Sequence, residues 1–208
     1  MQKIRVLALA VVLLAAGALG AQEWDDWDFY AVDLYTRGDQ IFSITMGAVI
    51  PTVFVYRDDA YRPVTGPHNF TPPVGGTISL GYTYFMGAHF FLGGDLSFSF
   101  KYTIARNVFF SVPFGLYAGW QFLARQFEFP VSLMVGMAPQ RYMDAGYFGF
   151  FMRARASAFY RFSPEWSFGL NTDWSWFPQR PTRDGQAYRA GNADGQVLGI
   201  TISARYHF

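Results

Sequence analysis

Hydrophobic and polar residues alternate along most of this chain. In the last twelve residues, VLGITISARYHF, Leu198, Ile200, Ile202, Ala204, Tyr206 and Phe208 fall on one face. Gly199, Thr201, Ser203, Arg205 and His207 fall on the other. A strict period of two places successive side chains on opposite faces of a strand. The same alternation runs through QIFSITMGAVI, VGGTISLGYTYF, FFLGGDLSFSFKY, VFFSVPFGLYAGWQF, FEFPVSLMVGM, FMRARASAFYRF and WSFGLNTDWSWF. These segments and the last make an even set of eight predicted strands, each about the 9–11 residues of a tilted membrane strand.

The connections alternate as well. MGAH, LARQ and SPE are short, while 51–73, 138–146 and 178–195 are longer and more polar; TIARN is the short exception. In an outer-membrane barrel, short turns belong to the periplasm and long loops to the exterior. Aromatic residues gather near the strand ends, as an interfacial belt requires. Trp120, Phe122, Phe127, Tyr160, Phe162, Trp166, Tyr206 and Phe208 form the predicted periplasmic belt. Phe100, Tyr102, Phe148, Trp174 and Trp176 form the outer one.

Composition narrows the class. Aromatics are 20 % of the chain and charged residues 15 %, so there is more apolar surface than a soluble core of this size would bury. After residue 21 no apolar run approaches the roughly 20 residues of a spanning helix, so a membrane form must be a closed barrel. The start, MQKIRVLALAVVLLAAGALGAQ, has the basic, apolar and small-residue regions of a cleaved secretory signal. The expected division is a signal over 1–21, a periplasmic tail or short helix over 22–38, and a barrel over 39–208. Loss of Lys3 and Arg5 with the signal leaves 14 basic against 15 acidic residues. No broad positive field for nucleic acid remains. The absence of cysteine excludes a disulfide framework and thiolate zinc sites.

The signal, the eight alternating segments and the terminal ISARYHF resemble the small eight-stranded outer-membrane barrels of the OmpA, OmpX and OmpW type. The stretches GDQIFSI, GAVIP and FEFPVSL resemble a set of such barrels from spirochaetes. The resemblance implies an all-β, antiparallel, transmembrane up-and-down barrel in the outer membrane, in contact with its lipids. It also implies that Tyr206 and Phe208 act as a C-terminal signal to the assembly machinery.

Parity turns Asp95, Lys101, Glu128, Arg153, Arg155, Asp173 and Arg205 inward, among glycine, serine and threonine. Charges in a narrow lumen are tolerable when paired and hydrogen-bonded. A three-residue turn at Ser163–Glu165 sets Arg155 opposite Asp173. Two readings follow: an ion-paired plug, or the lining of a narrow channel or OmpW-like path for a small solute. Pro113 and Pro130 lie inside predicted strands, where proline removes a ladder bond. A turn pairing Phe122 with Phe127 would set Pro113 opposite Gly136 and Pro130 opposite Gly119, each expected as a bulge.

Candidate chemistry is sparse. His68 lies in the first long loop near Asp58 and Asp59, His89 in a turn, and His207 next to the end. Serine and histidine do not form a tight motif such as His-x-Ser, so no catalytic, metal or cofactor residues are assigned. Arg57 and Arg62 in the first loop, and Arg180, Arg183 and Arg189 in the last, suit recognition of an extracellular ligand or an anionic headgroup.

Overall fold

The computed structural model describes residues 35–57, 63–64, 74–102, 108–142, 145–179, 182–183, 186–187 and 193–208. Eight wall strands follow one another: β1 (Gln40–Arg57), β2 (Gly75–Phe85), β3 (Phe90–Tyr102), β4 (Val108–Ser111 with Phe114–Ala124), β5 (Phe127–Tyr142), β6 (Ala145–Arg161), β7 (Trp166–Gln179) and β8 (Ala193–His207). Each pairs antiparallel with its neighbours, and β8 returns to pair with β1. Phe208 and Gln40 exchange two backbone hydrogen bonds of 3.1 Å at the seam. Closure leaves no free sheet edge, which is what the hydrocarbon core demands of a strand-built span. Among the described residues no helix is long and apolar enough to cross a membrane.

The alternation behaves as the sequence predicts. Ile200, Ile202 and Tyr206 are exposed, while Thr201, Ser203 and His207 are buried. The outer face is a continuous apolar surface that includes Ile44, Leu80, Phe98, Leu116, Leu133 and Leu170. On a barrel this is the lipid-facing surface. All eight residues of the predicted periplasmic belt are exposed, from Tyr206 at 39 % to Phe208 at 58 %. They touch one another, as in the Trp166–Tyr206 contact at 5.1 Å between ring centroids. The predicted outer belt holds for Phe100, Phe148 and Trp174, which are also exposed.

Several expectations change. The strands run beyond their predicted loop ends: β1 continues to Arg57, and β5 and β6 reach Tyr142 and Ala145. The link expected over 138–146 is therefore mostly strand. Strand β1 also carries an irregularity that the pattern did not announce. Its register against β8 shifts by one residue between Pro51 and Val53, which is a bulge at Thr52.

The two prolines behave differently from the predicted bulges. The β4–β5 hairpin pairs Ala124 with Phe127, so Pro130 lies opposite Gln121, Gly136 opposite Gly115 and Gly119 opposite Ser132. Its turn is only Arg125 and Gln126, with Arg125 in the left-handed region at φ 56°. Such a two-residue turn usually calls for glycine or asparagine, and LARQ contains neither. Pro113 interrupts β4 without changing its register, since Ser111 and Phe114 keep one alignment on both sides. Its carbonyl accepts from the Ser97 amide at 2.8 Å; having no N–H, it returns nothing.

The inner face holds more than small polar residues and charges. An apolar cluster of Tyr35, Ile41, Phe85 and Phe91 fills the turn end, with Tyr117 and Leu123 packed on it. A second cluster toward the loop end comprises Val49, Met134, Ala138, Phe151, Phe177 and Val197. An eight-stranded barrel is just wide enough for side chains to fill, and serine and threonine alone are too small to do so.

Candidate functional site

The charged residues form two groups, one between these two apolar layers and one at the level of the turn-end layer. The first is built on β3, β6 and β7. Arg153 is buried, and its Nη1 donates to Asp95 Oδ1 at 3.2 Å and to Ser97 Oγ at 3.0 Å. Its Nε donates to Ser175 Oγ at 3.2 Å and lies 3.6 Å from Asp173 Oδ1. Arg155 Nη1 reaches Asp95 Oδ2 at 3.5 Å. Ser97 Oγ also donates to Asp95, and Ser175 Oγ to Asp173 at 3.3 Å. The group balances two guanidinium groups against two carboxylates.

The predicted register of Arg155 against Asp173 holds, but no ion pair between them is found among the described residues. Arg155 instead bridges to Asp95, and Arg153 serves both carboxylates. Opposed positions on neighbouring strands are near in backbone terms, whereas arginine is long enough to cross the lumen. Gly199, the partner of Asp173 on β8, has no side chain for a reason: a Cβ there would collide with the Asp173 carboxylate.

The second group surrounds Glu128 on β5, which is fully buried. Arg205 Nη1 lies 3.6 Å from Glu128 Oε2, and Arg161 Nη1 lies 3.8 Å from Oε1. The Arg205 guanidinium sits over the Phe159 ring at 3.4 Å, a cation–π contact that shields it further. One carboxylate thus faces two arginines.

Tyr35 completes this group from outside the wall. It precedes β1, yet it is 4 % exposed and stacks on Phe85 at 3.8 Å with the rings 2° from parallel. Its hydroxyl donates to Glu128 Oε1 at 2.8 Å and meets His207 Nδ1 at 3.1 Å. His207 Nε2 lies 2.9 Å from Ser167 Oγ. With one proton on Nδ1 the chain is consistent: Ser167 donates to His207, His207 to Tyr35, and Tyr35 to Glu128. Burial, then the Glu128 carboxylate, push the Tyr35 phenol well above its ordinary range, so it remains a donor. The segment is held in place by Thr36 N donating to Asp39 Oδ2 at 2.7 Å and Gly38 N donating to the Phe85 carbonyl at 3.0 Å. Tyr35→Phe keeps the stack but leaves Glu128 Oε1 and His207 Nδ1 short of a partner. A loss of about 1–3 kcal/mol is expected, read as a lower urea midpoint of the refolded protein; an unchanged midpoint would show that the hydroxyl is dispensable.

Tyr35, Ser167 and His207 are the residues that sequence reasoning did not bring to the site. Parity already turned Ser167 and His207 inward, but nothing in the sequence marks Tyr35 as an insertion into the lumen. Phe151 and Phe159 were legible: they share the parity of Arg153 and Arg155 within FMRARASAFYRF. Of the remaining predicted residues, Lys101 is next to last in β3 and Arg57 ends β1, and their side chains lie outside the described part. Arg183 belongs to a two-residue ladder, Thr182–Arg183 with Gln186–Ala187. Arg62, Arg180, Arg189, His68, Asp58 and Asp59 lie outside the described residues.

Known structures share this architecture. Neisserial surface protein A is similar with a TM-score of 0.57 at 9 % identity, over 82 % of this chain and 97 % of that one. OprG, an outer membrane protein from Pseudomonas aeruginosa, gives 0.55 at 11 % identity, over 85 % and 99 %. A protein-family model matches residues 22–206. The chain belongs to that family, and its fold is that of the small eight-stranded outer-membrane barrels. The barrel also has relatives in a spirochaete. Two uncharacterized proteins of Treponema pallidum (strain Nichols) are similar: one is 31 % identical over 64 % of this chain and 59 % of its own length, the other 21 % over 69 % and 52 %. The barrel thus spans a little over half the length of these relatives. Its apolar outer face is the surface that meets membrane lipid.

Proposed function

We propose that this outer-membrane barrel has a closed lumen and acts through its loop end, in a structural or cell-surface interaction role. The observation that carries the reading is the filling of the lumen: an apolar layer at each end, the Asp95 network between them, and Tyr35 inserted beside the Glu128 ion pairs at the turn end. The cavities beside the charged residues measure about 30 and 20 Å³. A single water needs roughly 10–15 Å³, so neither accommodates a nutrient-sized solute. Such a filling disfavours the narrow channel or OmpW-like path for a small solute. It also disfavours catalysis, because Ser167, the one serine hydrogen-bonded to a histidine among the described residues, is fully buried.

In this reading, residues 1–21 are a cleaved signal, 22–38 a periplasmic segment ending in the Tyr35 insertion, and 39–208 the barrel, with the turn end in the periplasm. Tyr206 and Phe208 present aromatic rings on the outer face of the last strand, 5.9 Å apart, where assembly machinery could read them. Arg57, Arg62, Arg180, Arg183 and Arg189 supply the cationic character of the loops for an extracellular ligand or anionic headgroup. Planar-bilayer recording on the refolded full chain tests the closed lumen. The expected result is no stable single-channel steps. Steps whose conductance changes in Arg155→Ala would overturn the reading in favour of a path lined by the charge network.

A further inference from the structure

Between the apolar cluster at the turn end and the Asp95 network lies a cavity of about 30 Å³, lined by Ser43, Gln121, Ser132, Arg155, Ser157 and Arg205 among others. Its walls are rich in donors that nothing satisfies. Gln121 is 1 % exposed, and its Nε2 has no hydrogen-bond partner. Arg155 Nε has none either, and Arg205 Nη1 has only its 3.6 Å approach to Glu128. Buried donors in native proteins are ordinarily satisfied, so the two that face no carboxylate, Gln121 Nε2 and Arg155 Nε, call for an acceptor within the cavity.

The nearby carboxylates do not serve Gln121 Nε2 or Arg155 Nε. Asp95 receives Ser97, Arg153 and Arg155 Nη1, Glu128 Oε1 receives Tyr35, and Glu128 Oε2, itself without a hydrogen bond, faces Arg205 Nη1 at 3.6 Å. Charge points the same way. The lining carries two arginines, Arg155 and Arg205, and no carboxylate, a local excess of positive charge. The wall of lipid-facing side chains makes that excess costly unless a counter-charge lies close. A water molecule would accept from the free donors and leave the charge unbalanced; a monovalent anion does both.

We infer that this cavity is a binding site for one halide-sized inorganic anion. The anion is held by Gln121 Nε2 and Arg155 Nε, with Arg205 contributing charge, and Ile41, Phe91 and Tyr117 line the turn-end side.

The test uses the refolded full chain in sodium chloride and in sodium gluconate at equal ionic strength, with bromide-grown crystals as a second readout. Chloride at about ten times its dissociation constant is expected to shift the unfolding equilibrium roughly tenfold toward the folded state. Bromide is expected to give an anomalous peak beside Gln121. Gln121→Leu, which removes the donor at similar volume, is expected to abolish both effects. Equal stability in the two salts overturns the site, as does a halide effect that survives in Gln121→Leu. A bromide peak without a salt effect means an adventitious ion only, and also overturns it. If Gln121→Leu does not fold, the two wild-type measurements decide by themselves.

Discussion

Replacing Glu128 with alanine is expected to destabilise the folded barrel by about 3–5 kcal/mol, the range for removing one partner of a buried ion pair. Glu128 is fully buried and is the carboxylate that Arg161 and Arg205 share. Its loss leaves the Arg205 guanidinium without its carboxylate, and removes the acceptor at the end of the Ser167, His207 and Tyr35 chain. Urea-induced unfolding of the refolded protein in lipid vesicles, read by tryptophan fluorescence, measures the change. A loss below about 1 kcal/mol would place the pair in the range of solvated surface bridges, and would show that water reaches the turn-end lumen freely.

Asp95→Ala is expected to cost a similar amount, about 3–5 kcal/mol, for a related reason. Asp95 is the carboxylate on β3 that receives both Arg153 and Arg155. Without it the two arginines depend on Asp173 alone. The diagnostic comparison is the double variant Asp95→Leu with Arg153→Met. It removes one charge of each sign and leaves Arg155 and Asp173, which already oppose each other in register. Replacement of a buried ion pair by apolar residues of similar volume is often neutral or stabilising, so most of the lost stability is expected to return. A double variant as unstable as Asp95→Ala would show that the hydrogen bonds through Ser97 and Ser175, rather than charge balance, hold this layer together.

How much of this was legible beforehand depended on the range of the interaction. Alternation over FMRARASAFYRF and the short SPE turn determined which way Arg153 and Arg155 point and which residue stands opposite Arg155. Those are matters of strand geometry and nearest-neighbour pairing. The β4–β5 hairpin shows the limit even locally. LARQ gives no glycine or asparagine to announce that Arg125 adopts a left-handed conformation, so a looser turn was expected, and every residue pair along that ladder was placed two positions away.

By itself the sequence determined the strand count, the alternation of lipid-facing and lumen-facing positions, the aromatic belt at the turn end and the inward parity of Asp95, Glu128, Arg153 and Asp173. All of these follow from a period of two and the length of a membrane strand. Tertiary structure alone decided which charges pair, because closing the sheet brings Asp95 on β3 within reach of Arg153 and Arg155 on β6, 58 and 60 positions away along the chain. It also decided that Tyr35 and His207, 172 positions apart, meet beside Glu128 at the turn end. The barrel's width sets these contacts: it is narrow enough for an arginine to span and wide enough to require an aromatic ring to fill, and no local pattern encodes that distance.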